Sequence, residues 1–365
     1  MSSVGSLTWA AVAAVLIPIA ACGQSLERQV SAAGDGNVQF HFTARAGVCG
    51  NGRNSYRSAD GGSYYNFNNG NDGDDSCQRG PVRVVVVRAG HEIIRLETYA
   101  GPLSPGPDDG KDLGAIPAGE ASAWLLGVAN TLEGRPAREA IQPAMLADST
   151  VVTPALTRIA NDPTRGRDVR SSAISWLARR RDEAGGVGSA AAQHTLDALV
   201  RSQDESETTR RQALSALANL DRGEGIPLLI AFAGESDGWV VRQAMSSLAN
   251  SGDPRARQFI RTAIKRADLP DETEATLIRG LGNEYATPTD YRLLRDLYPA
   301  MNSDQERSAV ISTLGAAGGS DNVTWLLALA KSPTESAARR RQVVSMLSRS
   351  DDSRVKDALK GMVER

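Results

Sequence analysis

The chain has little of what enzymes use to make and break bonds. Three histidines and three cysteines in 365 residues leave few possible members for nucleophile–base pairs built on those side chains. The sequence contains no H-E-x-x-H, no Walker loop and no C-x-x-C, so the signatures of zinc proteases, P-loop NTPases and dithiol oxidoreductases are absent. Charge of one sign is also lacking: 41 basic residues face 43 acidic ones, for a net charge of -2. From residue 117 onward there are 32 of each, so the positive excess that phosphate-backbone binding needs is missing, and no nucleic-acid partner is expected. Aromatics make up only 5% against 41% hydrophobic residues, which points to a core of Ala, Leu, Val and Ile in closely packed helices rather than an aromatic-rich β-sandwich.

The one long apolar stretch, Trp9 to Ala21, is short for a membrane span and has the length of a signal-peptide core. It ends at IAAC, Ile19 to Cys22, which resembles the bacterial lipobox. That resemblance implies a signal peptide over 1–21 and a lipid on Cys22, with a linker over 22–36. No Lys or Arg precedes the apolar core. Ordinary cleaved secretion and a plain unexported apolar segment therefore remain as alternatives. With Cys22 assigned to a lipid, Cys49 and Cys77 form an obvious pair in an oxidising compartment, a bridge contributing roughly 3–4 kcal/mol on the chain-entropy model.

Residues 37–116 read as a small antiparallel β-domain. NVQFHFTAR alternates apolar and polar residues as a half-buried strand does, and the runs 82–88 and 92–99 flank Ala89-Gly90 as a hairpin. The helix beginning near Ala118 is the expected cover for the apolar face. Between strand and hairpin lies a Gly-, Asn-, Asp- and Ser-rich loop tied by Cys49 and Cys77. Its Asp72, Asp74 and Asp75 offer hard oxygens for calcium, but the spacing departs from the EF-hand order, and a solvated loop is the competing reading. His41 and His91 have no ligand-type neighbour at metal spacing and read as ordinary strand or surface histidines.

From residue 117 a helical unit repeats. RQALSALAN at 211–219 and RQAMSSLAN at 242–250 share an apolar register, Ala213-Leu214-Leu217 and Ala244-Met245-Leu248. It recurs at Leu277-Ile278-Leu281, Val310-Ile311-Leu314 and Val343-Val344-Leu347, at spacings of 31, 33, 33 and 33 residues. An earlier copy stands at Ala173-Ile174-Leu177. A second helical pattern and Gly/Pro/Asn/Asp punctuation fall between copies, so each unit is a pair of short helices that cannot bury its apolar face alone and must stack on its neighbours.

Asp168-Val169-Arg170 with Ala173 and Leu177, and Val241-Arg242 with Ala244 and Leu248, resemble the second helix of HEAT repeats, including the bacterial PBS-lyase-type subset. The resemblance implies a mainly α fold, a right-handed solenoid of about six to seven helical hairpins over 117–365, preceded by the β-segment. It also implies a binding scaffold whose second helices line the concave side. Some relatives act on bilin chromophores, but the repeats here hold no Cys and only His194, and no cofactor is expected.

Arg211, Arg242 and Arg341 occupy equivalent positions, each followed by Gln (Gln212, Gln243, Gln342). They read either as a ladder facing an acidic partner or as stacking contacts to acidic side chains and turn carbonyls. Trp239, at a helix start, is the tryptophan expected to touch a partner. The arginine runs 179–181 and 339–341 have acidic neighbours and read as solvated helix ends. The sequence therefore describes an exported, lipid-anchored bacterial envelope protein, a non-catalytic scaffold for a protein or an envelope polymer. Its rivals are an enzyme or metal site where the β-segment meets the first repeats, and an intracellular nucleic-acid-binding HEAT-like protein.

Overall fold

The computed structural model describes residues 20–52, 55–58, 64–66, 77–103, 110–148, 150–179, 187–235, 238–266, 269–349 and 354–356. Residues 1–19, Asp72, Asp74 and Asp75 lie outside this set, so the export segment and the acidic loop have no structural description. The chain divides into two compact units, 1–176 and 177–365.

The first unit opens with helix α1 (Ala20–Ala32), where the sequence suggested a linker. Cys22 falls in its first turn. Then come β1 (Gly36–Phe42), β2 (Val48–Gly50), β3 (Ser55–Ser58), β4 (Tyr64–Asn66), β5 (Val82–Ala89), β6 (Glu92–Ala100) and β7 (Lys111–Ala115). The main sheet has the order β6-β5-β1-β7, while β2-β3-β4 form a second, smaller sheet. In the main sheet β1 and β6 both pair antiparallel with β5, and β7 runs parallel to β1. The sheet is thus mixed, not wholly antiparallel. KDLGA has neither alternation nor a branched run to mark β7 as a strand; its place is held by the β1 ladder and by Gln39 Nε2 donating to Asp112 Oδ2 at 2.9 Å.

β5 is central, which is why its valines are buried on both faces. The turn after it is Gly90-His91, with φ of 58° and 67°, the left-handed pair that a two-residue hairpin of this kind requires. Asp35 accepts from both turn amides at 2.9 Å; the His91 amide, with Gly90 behind it, holds its carboxyl below the ordinary range. Beside the turn, buried Arg88 donates to Val30, Ser31 and Gly34 carbonyls at 2.7–3.1 Å, ending α1 with a positive charge at its carbonyl terminus.

The cystine Cys49–Cys77 is present. Next to it Gly50 and Gln78 exchange backbone hydrogen bonds of 2.9 and 3.0 Å, so the segment is clasped by a covalent and a backbone tie side by side. Gly101 passes so close that a β-carbon on it would stand 2.4 Å from the Gly50 carbonyl oxygen, and its φ is 113°; only glycine fits.

Helices α2 (Ala118–Thr131), α3 (Gly134–Leu146), α4 (Thr153–Asn161) and α5 (Arg167–Leu177) supply two hairpins. The expected cover is observed: α3 packs on β6, Trp124 of α2 meets Phe40 edge-on at 5.7 Å between centroids, and Glu139 of α3 accepts the Leu96 amide of β6 at 2.9 Å.

In the second unit α6 (Val187–Arg201), α8 (Ile226–Phe232), α10 (Pro254–Ala263), α12 (Pro288–Leu297) and α14 (Ser320–Lys331) are the first helices of five hairpins. Their partners are α7 (Glu207–Ala218), α9 (Gly238–Ala249), α11 (Asp271–Leu281), α13 (Asp304–Ala317) and α15 (Ala337–Leu347). Each second helix packs on the next one in the series. The register explains this: Ala213, Ala244, Leu277, Val310 and Val343 are fully buried, and so are Leu214, Met245, Ile278 and Ile311. Ser206, Ser303 and Ser336 cap α7, α13 and α15 by accepting a first-turn amide.

One junction differs from the rest. Asp290, fully buried in the first turn of α12, accepts from Arg257 at 2.8 Å and from Arg261 at 2.7 Å, both of α10. It also completes a capping box with Thr287. Burial alone would push this carboxyl up, but hydrogen bonds from Arg261, Thr287 and Arg257 outweigh it and hold it well below the usual carboxylate range. Because the folded carboxyl is the more acidic, its contribution is complete above the unfolded value near pH 4 and is lost as pH falls below it. Asp290→Asn, which leaves two cations without their anion, is expected to cost roughly 3–5 kcal/mol at neutral pH. Urea melts at pH 7 and pH 3 check this: the difference between variant and parent should shrink at the lower pH.

Candidate functional site

Aligning the second helices on their first buried register residue separates two classes of arginine. Three residues before it stand Arg170, Arg210, Arg307 and Arg340. Each turns back onto a carbonyl that closes the preceding helix: Arg170 to Ala160 at 3.0 Å, Arg210 to Val200 at 2.8 Å, Arg307 to Met301 at 2.8 Å, and Arg340 to Ser332 at 3.1 Å. These carbonyls have no intrahelical donor, and a guanidinium serves them with charge-assisted bonds. In α11 the position is Glu274, and Arg257 of α10 reaches across instead to the Gly280 and Leu281 carbonyls.

Two residues before the register stand Arg211, Arg242 and Arg341, the ladder singled out in the sequence. None serves a helix end. Arg211 pairs with Glu207 of its own helix at 2.5–2.7 Å. Arg242 and Arg341 are exposed and make no hydrogen bond or ion pair among the described residues. Of the glutamines, Gln342 ties α15 to α13 through Ser308 Oγ at 2.8 Å, and Gln212 is also engaged within the chain. Gln243 has no partner among the described residues.

Four of the six candidates meet in one place. A cleft of about 200 Å³ lies across three consecutive second helices: α7 contributes Arg211, α9 contributes Trp239, Arg242 and Gln243, and α11 contributes Glu272, Thr273 and Thr276. Trp239 is fixed by two cations of α7, Arg210 at 4.8 Å and Arg211 at 5.0 Å from the ring centroid. Both guanidinia are themselves held, one by the Val200 carbonyl and one by Glu207. Thr273 is 4% exposed and its hydroxyl has no hydrogen-bond partner among the described residues. Arg341 lies instead by a separate hollow on α15, beside Ala337 and Val344.

The α11 contribution escaped the sequence reading, although a signal existed. Glu272 and Thr276 stand in their copy where Trp239 and Gln243 stand in theirs, five and one residues before the register. Searching only for Arg-Gln passed them over. Gly234 to Gly238 also reads G-E-S-D-G, the spacing of a nucleophile elbow, which the sequence reading likewise passed over. That motif needs a strand before the turn, whereas here it joins helices α8 and α9; Ser236 and Asp237 lie outside the described residues. Among the described residues no three His, Cys, Asp or Glu side chains group as a metal site. Nor is any described helix long and apolar enough to cross a membrane.

The paired short helices with a common buried register define a helical repeat protein. The family of HEAT repeats matches residues 192–282, so this segment, which carries α7, α9, α11 and the whole cleft, consists of HEAT repeats. No curated protein matches the chain. Among solved structures it is similar to one engineered protein at 18% identity and TM-score 0.34, covering 67% of each chain. A second engineered protein follows at 15% and 0.29, covering 66% of this chain and 94% of the other. The complex of CpcE and CpcF of phycocyanin lyase from Nostoc sp. PCC7120 is similar at 19% and 0.28, with coverage of 58% and 94%.

The two arginine classes predict opposite outcomes. Arg307→Ala removes a helix-end donor and should lower stability by about 1–3 kcal/mol. Arg341→Ala should stay within about 0.5 kcal/mol of the parent. Thermal unfolding of both variants decides the matter, and equal losses would contradict the division.

Proposed function

We propose that the chain is an exported, lipid-anchored, non-catalytic scaffold that engages a protein partner through the α7–α9–α11 cleft. The observation that carries this reading is the state of the cleft's polar groups. Arg170, Arg210, Arg307 and Arg340 serve helix ends, yet Arg242 and Gln243, side by side on α9, are engaged by nothing among the described residues. They lie beside a tryptophan that two neighbouring cations hold in place. A rigid aromatic next to unengaged polar groups is the usual composition of a protein-binding hot spot.

Export is supported by the cystine, since such bonds persist in oxidising compartments, and by the IAAC boundary that resembles a lipobox. With the lipid on Cys22, the mature chain would begin within the first turn of α1, four residues before Leu26, which is fully buried. The anchor then leads directly into a folded helix. Metabolic labelling with palmitate should mark the parent and not Cys22→Ala; a full-length protein confined to the cytosol would refute the export reading.

For the scaffold, cross-linking in intact cells followed by mass spectrometry should recover a partner from the parent. Arg242→Glu, an exposed change expected to leave the melting temperature unaltered, should reduce that recovery about tenfold or more. Equal recovery from both proteins would exclude the cleft as the binding surface.

A further inference from the structure

The cleft is selective in what it leaves unpaired. Arg211 is neutralised by Glu207, and Arg210 is committed to the Val200 carbonyl. Arg242 is therefore the cleft guanidinium with no anion among the described residues. Beside it stand an unengaged carboxamide, Gln243, and the Thr273 hydroxyl, buried with no partner among the described residues.

Size restricts the occupant. Small-molecule and cofactor sites run to about 300–1,000 Å³; about 200 Å³ holds one side chain and its flanking backbone. Charge restricts it further. Glu272 faces the same cleft, so a polyphosphate or polyuronate would place a second anion against a carboxylate, and a chain with net charge -2 provides no general attraction for a polyanion. A single carboxylate within an otherwise neutral or mixed-charge strand brings one negative charge only, which Arg242 can meet. Arginine's planar fork matches a carboxylate, while the Gln243 carboxamide, donor and acceptor in one group, matches peptide N–H and C=O groups.

We infer that the cleft receives one acidic residue of a polypeptide partner: its carboxylate on Arg242, its backbone against Gln243, and a neighbouring apolar group on the Trp239 ring. The inference rests on the scaffold reading above and adds the partner's chemistry to it.

A random dodecapeptide display library, selected against the full-length chain, tests it. The selected peptides should share an Asp or Glu at one position. Replacing that residue by Asn or Gln should weaken binding to the parent about tenfold or more and binding to Arg242→Ala less than twofold. Arg242→Glu should select Lys or Arg at the same position. Amidated and free C-termini distinguish a side-chain carboxylate from a terminal one, and loss of binding on amidation alone would overturn the side-chain assignment. Peptides without an acidic position, an equal Glu→Gln loss in Arg242→Ala, or no selected peptide would each overturn the inference. So would Arg242-dependent displacement of the peptides by polyphosphate or polygalacturonate. Recovery of a partner by cross-linking in cells is independent of these outcomes, so the scaffold reading and the carboxylate assignment fail separately.

Discussion

A helix that stops leaves its last carbonyls without donors, and a chain of short paired helices meets this problem at every turn. Here the answer is an arginine in the first part of the following helix that reaches back to the end of the preceding one, seen at Arg170, Arg210, Arg307 and Arg340. The bond spans the turn, so it sets how the two helices of a hairpin lie as well as satisfying an oxygen. Arg88 solves the same problem for α1 from a strand, and Arg165 for α2 through the Ala129 and Leu132 carbonyls. Once one arginine is committed to the helix end, the residue after it lies about 100° further round the helix. The exposure of Arg211 and Arg341 follows from that geometry.

Most of the repeat was legible because it obeys one rule at every copy. Burial at 3.6-residue spacing, repeated every 31–33 residues, leaves the same trace wherever it acts, and Ala213, Ala244, Leu277, Val310 and Val343 all prove fully buried. The β-segment was legible where strands are sided or central, as in β1, β5 and β6. It was not where a strand owes its existence to a neighbour's ladder, as β7 does beside β1. Helix α1 was hidden for a related reason: its fixed end depends on Arg88, 58 residues from the Val30 carbonyl it serves, and no local pattern encodes that contact.

Four residues singled out in the sequence, Arg211, Trp239, Arg242 and Gln243, line one cleft, whereas Arg341 lies by another hollow. The sequence presented Arg-Gln as a single signal, with a stacking role and a binding role both open. In three dimensions the arginine one residue earlier serves the helix end, and the glutamines differ too, since Gln342 ties α15 to α13 while Gln243 lines the cleft. Spacing identifies which positions are equivalent. What each equivalent position touches depends on the neighbouring repeat; the arginine gives way to Val241 in α9 and to Glu274 in α11, and both helices line the cleft.

The double clasp in the first unit has a consequence for the length of the segment it closes. Where Cys49–Cys77 and the Gly50–Gln78 pair close the base of a segment, the residues between no longer have to specify where that segment begins and ends. A change in the length of the Asn-, Gly- and Asp-rich stretch would therefore leave the distance between its two ends as it is.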